Sequence, residues 1–586
     1  MSAVCKIDCL REQMRLYGLD YYWVPGNDPH NSEYVAPFWQ RREYVSGFTG
    51  SNGDLLVSLD QAWLWTDSRY FLQAETELDA GSVTLQRIGI DPDMVSFVSE
   101  RACGGVVGYD PLLVTIEQGL RWSEAAERSH FKLSLLRNNL VDAFWSDVPD
   151  MPDYVISPHS LEYAGVCTSD KLSKVREQLV SHDCDYCVIS DLTQIAWVTN
   201  CRGRLFDELP VFLAYMIIGL ERASLFVDLS RLPSSVVDAL ANQGITCHEY
   251  TIFMNDGLGA VSGKVWLDPK EVSLLVQQYL AECDLFYQLS PVSLLQACKN
   301  KQEQFGMREA HRIDGLAMVR FLTWVHVNWQ GQTELTLTQK LLEFRQQSEH
   351  FQASSFKTIC GYSDHGAIVH YSASEESAYE ISNQSCLLLD SGGQYFFGTT
   401  DITRVLHFGQ PTEEERWHYT LVLKGHVALS MRRFSRGTCG EHLDLYARQP
   451  LLDVGLDYGH GTGHGVGSYL SVHEGPQRIS PVESGVELRV GMVLSNEPGV
   501  YLTGKFGIRI ENCFMVQSSG LVEGEECYHF ETLTMVPYAR YLIDVSLLTD
   551  VERVWLNGYH DTVYETYQGE LSTSEKQWLF QATRPL

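Results

Sequence analysis

The chain of 586 residues is poor in the features that would commit it to a membrane, to nucleic acid or to a disulfide framework. No apolar run approaches the roughly 20 residues a helix needs to cross a bilayer, so no membrane association is expected. Basic residues are scarce: 44 Lys and Arg against 75 Asp and Glu leave a net charge of -31, which repels phosphate backbones and favours cationic or zwitterionic ligands. Nucleic acid is therefore not an expected partner. Met1 to Asp20 lacks the basic, apolar and small-residue order of a secretion signal and reads as an amphipathic helix. The 15 cysteines are odd in number and irregular in spacing, which fits a reducing compartment with thiols buried as small hydrophobes. Cys184 and Cys187 form a C-x-x-C, but inside a strand-like run with no second pair nearby, so their expected role is structural. These absences together make a cytoplasmic location the expectation.

What is present begins with length. A chain of this size exceeds one hydrophobic core and predicts about three or four domains. An internal repeat organises the first half. Arg11-Glu12-Gln13 precedes Asp20-Tyr21 as Arg176-Glu177-Gln178 precedes Asp185-Tyr186, each a helix leading into a strand. Leu64-Trp65-Thr66-Asp67 is echoed by Leu225-Phe226-Val227-Asp228, and Tyr44 to Gly50 by Trp197 to Gly203. Apolar strands alternating with amphipathic helices predict two related α/β domains. Prolines 149, 152 and 158 mark the first boundary and Ser290-Pro291 the second, giving domains over 1–155, 156–290 and 291–586. From Gln302 a helical stripe of Phe305, Met307, Ala310, Ile313, Leu316, Ala317, Phe321 and Val325 is expected to be core, with His311 and His326 structural.

The last third carries the chemistry. The apolar run Cys386 to Leu389 ends in Asp390, and a second strand, Asp401 to Phe408, begins eleven residues later, so a hairpin sets the two aspartates side by side. In His460-Gly461-Thr462-Gly463-His464-Gly465-Val466-Gly467, four glycines let the backbone pass close to other groups and bring two imidazoles to one locus. A strand Met492 to Asn496 delivers Glu497 ahead of Pro498-Gly499. Ile508-Arg509-Ile510-Glu511 reads as one alternating strand with Arg509 and Glu511 on the same face, the arginine orienting a neighbouring carboxylate. Asp390, Asp401, Glu497 and Glu511 would repel one another if brought together, so cations must hold them, with His464 as a fifth ligand. Oxygen and nitrogen donors without sulfur select Mn²⁺, with Co²⁺, Fe²⁺ or Zn²⁺ as alternatives. Two such ions would hold a bridging water or hydroxide and polarise a carbonyl, which describes hydrolysis, while Glu497 carries the proton to the leaving nitrogen.

At these residues the chain resembles the aminopeptidase P (Xaa-Pro aminopeptidase) branch of peptidase family M24, the creatinase, prolidase and methionine aminopeptidase superfamily. Asp390-Ser391-Gly392-Gly393-Gln394-Tyr395, Gly398-Thr399-Thr400-Asp401 and Asn496-Glu497-Pro498-Gly499 carry the likeness, which spans the whole length. The resemblance implies two creatinase-like N-terminal α/β domains followed by a pita-bread α+β catalytic domain. It implies a dinuclear centre, often manganese, on Asp390, Asp401, His464, Glu497 and Glu511. It also implies substrate-binding and proton-handling roles for His370, His460 and His473, and positions for Tyr501 and Arg509 around the second metal.

The implied activity is removal of the first residue from short peptides with proline second, by a homodimer. A prolidase limited to Xaa-Pro dipeptides is the alternative, and a non-catalytic pita-bread binding protein a further one. One departure stands out: His365 replaces the asparagine usual before Gly-Ala-Ile in long relatives, and is expected to be a neutral surface change unless it alters substrate affinity or pH dependence.

Overall fold

In the computed structural model, residues 3–522 and 524–586 are described. The first sheet takes β1 Tyr21–Val24, β2 Asp54–Ser58, β3 Ala62–Thr66, β4 Thr84–Arg87, β5 Val106–Tyr109 and β6 Lys132–Leu135 in the order β4-β3-β2-β1-β5-β6. Only the pairs β1–β2 and β2–β3 are antiparallel. The period-two alternation of a strand divides its core in two. Tyr22, Val24, Leu55, Val57 and Leu64 join the first helix, Ala3–Tyr17, on one side, whereas Trp23, Leu56, Trp63, Trp65 and Trp122 pack on the other. Both faces are covered, which is why β3 is buried at every position.

The second sheet repeats the first. Its strands are β7 Tyr186–Ile189, β8 Ala214–Gly219, β9 Ala223–Val227, β10 Ile245–Glu249, β11 Lys264–Leu267 and β12 Asp284–Tyr287, ordered β10-β9-β8-β7-β11-β12. Again the two hairpin pairs, β7–β8 and β8–β9, are antiparallel and the rest parallel. Cys184 and Cys187 are buried beside and within β7 as free thiols. Both sheets fall in one compact unit, which runs to Pro158 and resumes over Cys167–Phe206 and Val211–Val292.

The other unit comprises His159–Val166, Asp207–Pro210 and Ser293–Leu586. It opens on the helix Lys301–Asn328, whose start is fixed by Asn300 and Glu303 capping each other's backbone N–H groups. Met307, Ala310, Ala317, Phe321 and Val325 are buried as the stripe predicts, but Phe305 is 57% exposed: the inward face at that turn belongs to Glu303, Gly306 and Met307. His311 is buried and His326 exposed.

Two further sheets carry the site. One pairs β13 Ile359–Tyr362, β14 Leu387–Ser391 and β15 Ile402–Leu406 in that order. The other is assembled from β16 Arg433–Ser435, β17 Gly463–Gly465, β18 Glu474–Ile479, β19 Val493–Asn496, and, after the hairpin β20 Gly499–Leu502 and β21 Phe506–Arg509, from β22 Asn512–Val522 and β23 Glu525–Thr532. Its order is β16-β23-β22-β19-β17-β18. The run Ile508 to Glu511 is therefore not one strand: β21 ends at Arg509 and β22 begins at Asn512. Ile510 and Glu511 span the change of partners, and both are buried.

Candidate metal centre

Each acidic residue sits where a strand ends or changes partner. Asp390 lies near the end of β14, opposite Thr403 of β15, and Asp401 immediately precedes β15. Glu497 follows β19, its backbone N–H donating to Thr462 at 2.8 Å, and Glu511 occupies the break before β22, its N–H donating to Thr403 at 3.2 Å. His464 is the middle residue of β17, whose approach to β19 needs glycine: a Cβ on Gly463 would overlap the Ser495 carbonyl.

These five residues converge. One oxygen from each of Asp390, Asp401 and Glu511 lies within 4.8 Å of the others, and ligand atoms of His464, Glu497 and Glu511 form a second such group. Glu511 belongs to both, so two neighbouring positions share a carboxylate. Asp401, His464 and His473 make a third group. His464 Nε2 is 3.5 Å from Asp401 and 3.3 Å from Glu497, while its Nδ1 faces the Gly465 carbonyl at 2.9 Å. Donation from Nδ1 leaves the Nε2 lone pair directed at the acids.

The residues present fit a pair of divalent cations. Asp390 Oδ1, Asp401 Oδ1 and Glu511 Oε1 are buried without a hydrogen-bond partner. Three orphaned carboxylate oxygens at one point would be prohibitively costly in a protein interior unless a cation completes them. Charge tells the same story. Burial, reinforced by the neighbouring carboxylates, raises the proton affinity of Asp401 and Glu511 far above the ordinary carboxylate range and pushes Glu497 up to about 7. Burial, then His473, drives His464 well below its usual value, keeping it a neutral donor.

Around this centre runs a hydrogen-bonded chain. Arg509 Nη2 donates to Asp390 Oδ2 at 2.6 Å, and its Nη1 to the Tyr501 hydroxyl at 2.7 Å. That hydroxyl is 2.8 Å from His460 Nε2, and His460 Nδ1 is 4.0 Å from Glu497. His473 stands edge-on to His464 with ring centroids 4.2 Å apart. His370 follows Val369, whose carbonyl accepts from Arg509 Nη2 at 3.4 Å.

Sequence reasoning passed over Thr403, Ser495 and Arg404. Thr403 donates to Glu511 Oε2 at 2.7 Å, Ser495 to Glu497 Oε1 at 3.1 Å, and Arg404 to the Glu511 carbonyl at 2.6 Å. Thr403 and Ser495 each stand two residues from an acid on an extended chain, and that spacing was the available signal. His365 is not a neutral surface residue: its ring lies between Tyr371 and Tyr379, with Nδ1 3.0 Å from a buried Glu334.

Residues 306–518 match the model of metallopeptidase family M24, and 526–586 its C-terminal region; 6–135 and 147–303 each match a creatinase/prolidase N-terminal domain. Aminopeptidase P2 of Arabidopsis thaliana is 40% identical over 97% of this chain and 86% of its own length. A probable Xaa-Pro aminopeptidase P of Paracoccidioides lutzii is 39% identical over 99% of both chains. The crystal structure of a Caenorhabditis elegans X-prolyl aminopeptidase, described as a cytosolic enzyme with a di-nuclear active site, superposes over 100% of both chains with a TM-score of 0.95 at 32% identity. The fold class expected from the sequence, paired creatinase-like domains ahead of a catalytic one, is the one these matches carry. The chain belongs to the aminopeptidase P branch of metallopeptidase family M24.

Proposed function

We propose that this chain is a metal-dependent aminopeptidase that hydrolyses the N-terminal Xaa-Pro bond of short peptides. The observation that carries the reading is the meeting of three unpartnered buried carboxylate oxygens with His464 and Glu497, in a chain whose full-length relatives are named for that activity. Asp390, Asp401, His464, Glu497 and Glu511 are the proposed ligands of two divalent ions. Bound ions would supply an acidified water and a Lewis acid for the scissile carbonyl. The chain's own residues do the rest. Arg509 fixes the orientation of Asp390, and Thr403 that of Glu511. Glu497, whose Oε1 accepts from the Ser495 hydroxyl, is the carboxylate proposed to accept a proton and return it to the leaving nitrogen. His370, His460 and His473 line the substrate side in this reading, with Tyr501 linking His460 to Arg509.

The all-oxygen-and-nitrogen donor set favours manganese, with cobalt, zinc or iron as substitutes. A cytoplasmic homodimer, with domains over 1–155, 156–290 and 291–586, completes the reading. No helix among the described residues is long and apolar enough to cross a membrane. The test is to strip the metal, restore Mn²⁺, Co²⁺ or Zn²⁺ separately, and measure release of the first residue from Xaa-Pro-Xaa and Xaa-Pro peptides. Metal-restored cleavage of the tripeptide is expected; strict dipeptide preference would turn the assignment to a prolidase, and indifference to metal would remove it.

A further inference from the structure

Glu334 begins the helix Glu334–Arg345, and its side chain is wholly buried. Four donors converge on its carboxylate: the backbone N–H groups of Tyr362 at 2.6 Å and Tyr379 at 2.9 Å, the Tyr371 hydroxyl at 2.9 Å and His365 Nδ1 at 3.0 Å. Such a count, at a helix N-terminus, is what a buried carboxylate requires to remain in place. The His365 ring is stacked between Tyr371 and Tyr379, with centroids 4.3 and 3.6 Å away. Residues 362–379 are thus gathered about one buried acid.

His370 lies inside that stretch and is held from both sides. The residue before it, Val369, accepts from Arg509 Nη2, the same nitrogen that donates to Asp390. The residue after it, Tyr371, donates to Glu334. We infer that Glu334, His365 and Tyr371 are positioning residues that fix the backbone carrying His370, one residue from the carbonyl that Arg509 binds. The inference rests on the proposed function, because it assigns His370 a part in the same reaction.

Glu334→Gln strikes the hub and risks unfolding, so the test rests on Tyr371→Phe and His365→Leu, each made in wild-type and His370→Ala backgrounds of the full metal-loaded chain. In the wild-type background each variant should lower kcat on an Xaa-Pro-Xaa peptide at least about fivefold, with KM and metal content within about twofold. In the His370→Ala background each should cost less than about twofold more, because the interaction it supports is already gone. Equal losses in both backgrounds, or no loss in the first, overturn the inference. The ring resonance of His370 in histidine-labelled protein gives a readout independent of turnover: it should shift in Tyr371→Phe, and an unmoved resonance refutes positioning. A wild-type chain that releases nothing from the peptide defeats the functional reading, and the resonance alone then decides the positioning.

Discussion

Arg509 joins more parts of the site than any ligand does. Its guanidinium donates to Asp390, Tyr501, Thr403 and the Val369 carbonyl, groups from four separate segments, while 2% exposed. A lysine ammonium cannot reach that planar set at once. Arg509→Lys is expected to lower kcat/KM and metal affinity about 10–100-fold, read by steady-state kinetics and metal titration. An unchanged metal affinity would show that Asp390 needs no such support. Glu497 supplies a pH prediction. Its proton affinity rises from the ordinary 4.5 to about 7 in the folded chain, so between those values the metal-free fold binds more protons than the unfolded chain. Stability of the stripped catalytic unit must then fall as pH rises from about 4.5 to 7. Metal binding expels those protons, so the stabilisation that metal confers should grow across the same window, measured by melting stripped and loaded protein at each pH; a gain that shrinks with pH would contradict the assignment. At this scale the four acids and one imidazole were legible, because the acids stand at the edges of readable apolar strands and the imidazole in a glycine-rich run. Their partners were not: Thr403 and Arg404 look like ordinary strand residues until the break at Ile510 brings Glu511 against them.

Elements meet at this centre through a backbone crossing. The hairpin strand β21 passes over the turn Ser363–Ala367, and a Cβ on Gly507 would overlap the Gly366 carbonyl. Gly507→Ala must push the two segments apart, an overpacking cost of about 1–3 kcal/mol. Activity should suffer more than stability, since Arg509 lies two residues from one side of the crossing and His370 four from the other. Comparing the thermal midpoint with kcat/KM tests this, and a fully active, equally stable variant would mean that the crossing is loose. The crossing also explains why the sequence misled over Ile508 to Glu511. Alternation alone reads as one continuous strand, whereas β21 pairs locally with β20 and β22 pairs with β19 and β23, a change of partner that no local pattern encodes. Phe305 and His365 fail for a related reason: periodicity predicts a helix face but not which residues of a turn a neighbouring element covers, and the stacking of Tyr371 and Tyr379 on His365 depends on how an irregular segment folds back on itself, which has no period to read.

The whole molecule separates its chemistry from its duplication. The repeat was legible because strand-ending motifs recur in both halves, and both copies keep the same strand order. The two excursions His159–Val166 and Asp207–Pro210 belong instead to the later unit, and nothing in their composition announces it. All five proposed ligands lie in that unit as well, so metal should act on it selectively. A ligand that binds only the folded state stabilises by about 2.7 kcal/mol at 100 times its dissociation constant, a rise on the order of 5 °C in the midpoint of the unit that holds it. Calorimetry of the full chain should therefore show two transitions, of which reloading with Mn²⁺ raises one and leaves the other in place. Glu511→Ala, which removes the carboxylate shared by both ligand groups, should abolish the shift without moving the second transition. If both transitions rose together, the units would be coupled in unfolding and the metal would be stabilising the chain as one cooperative body.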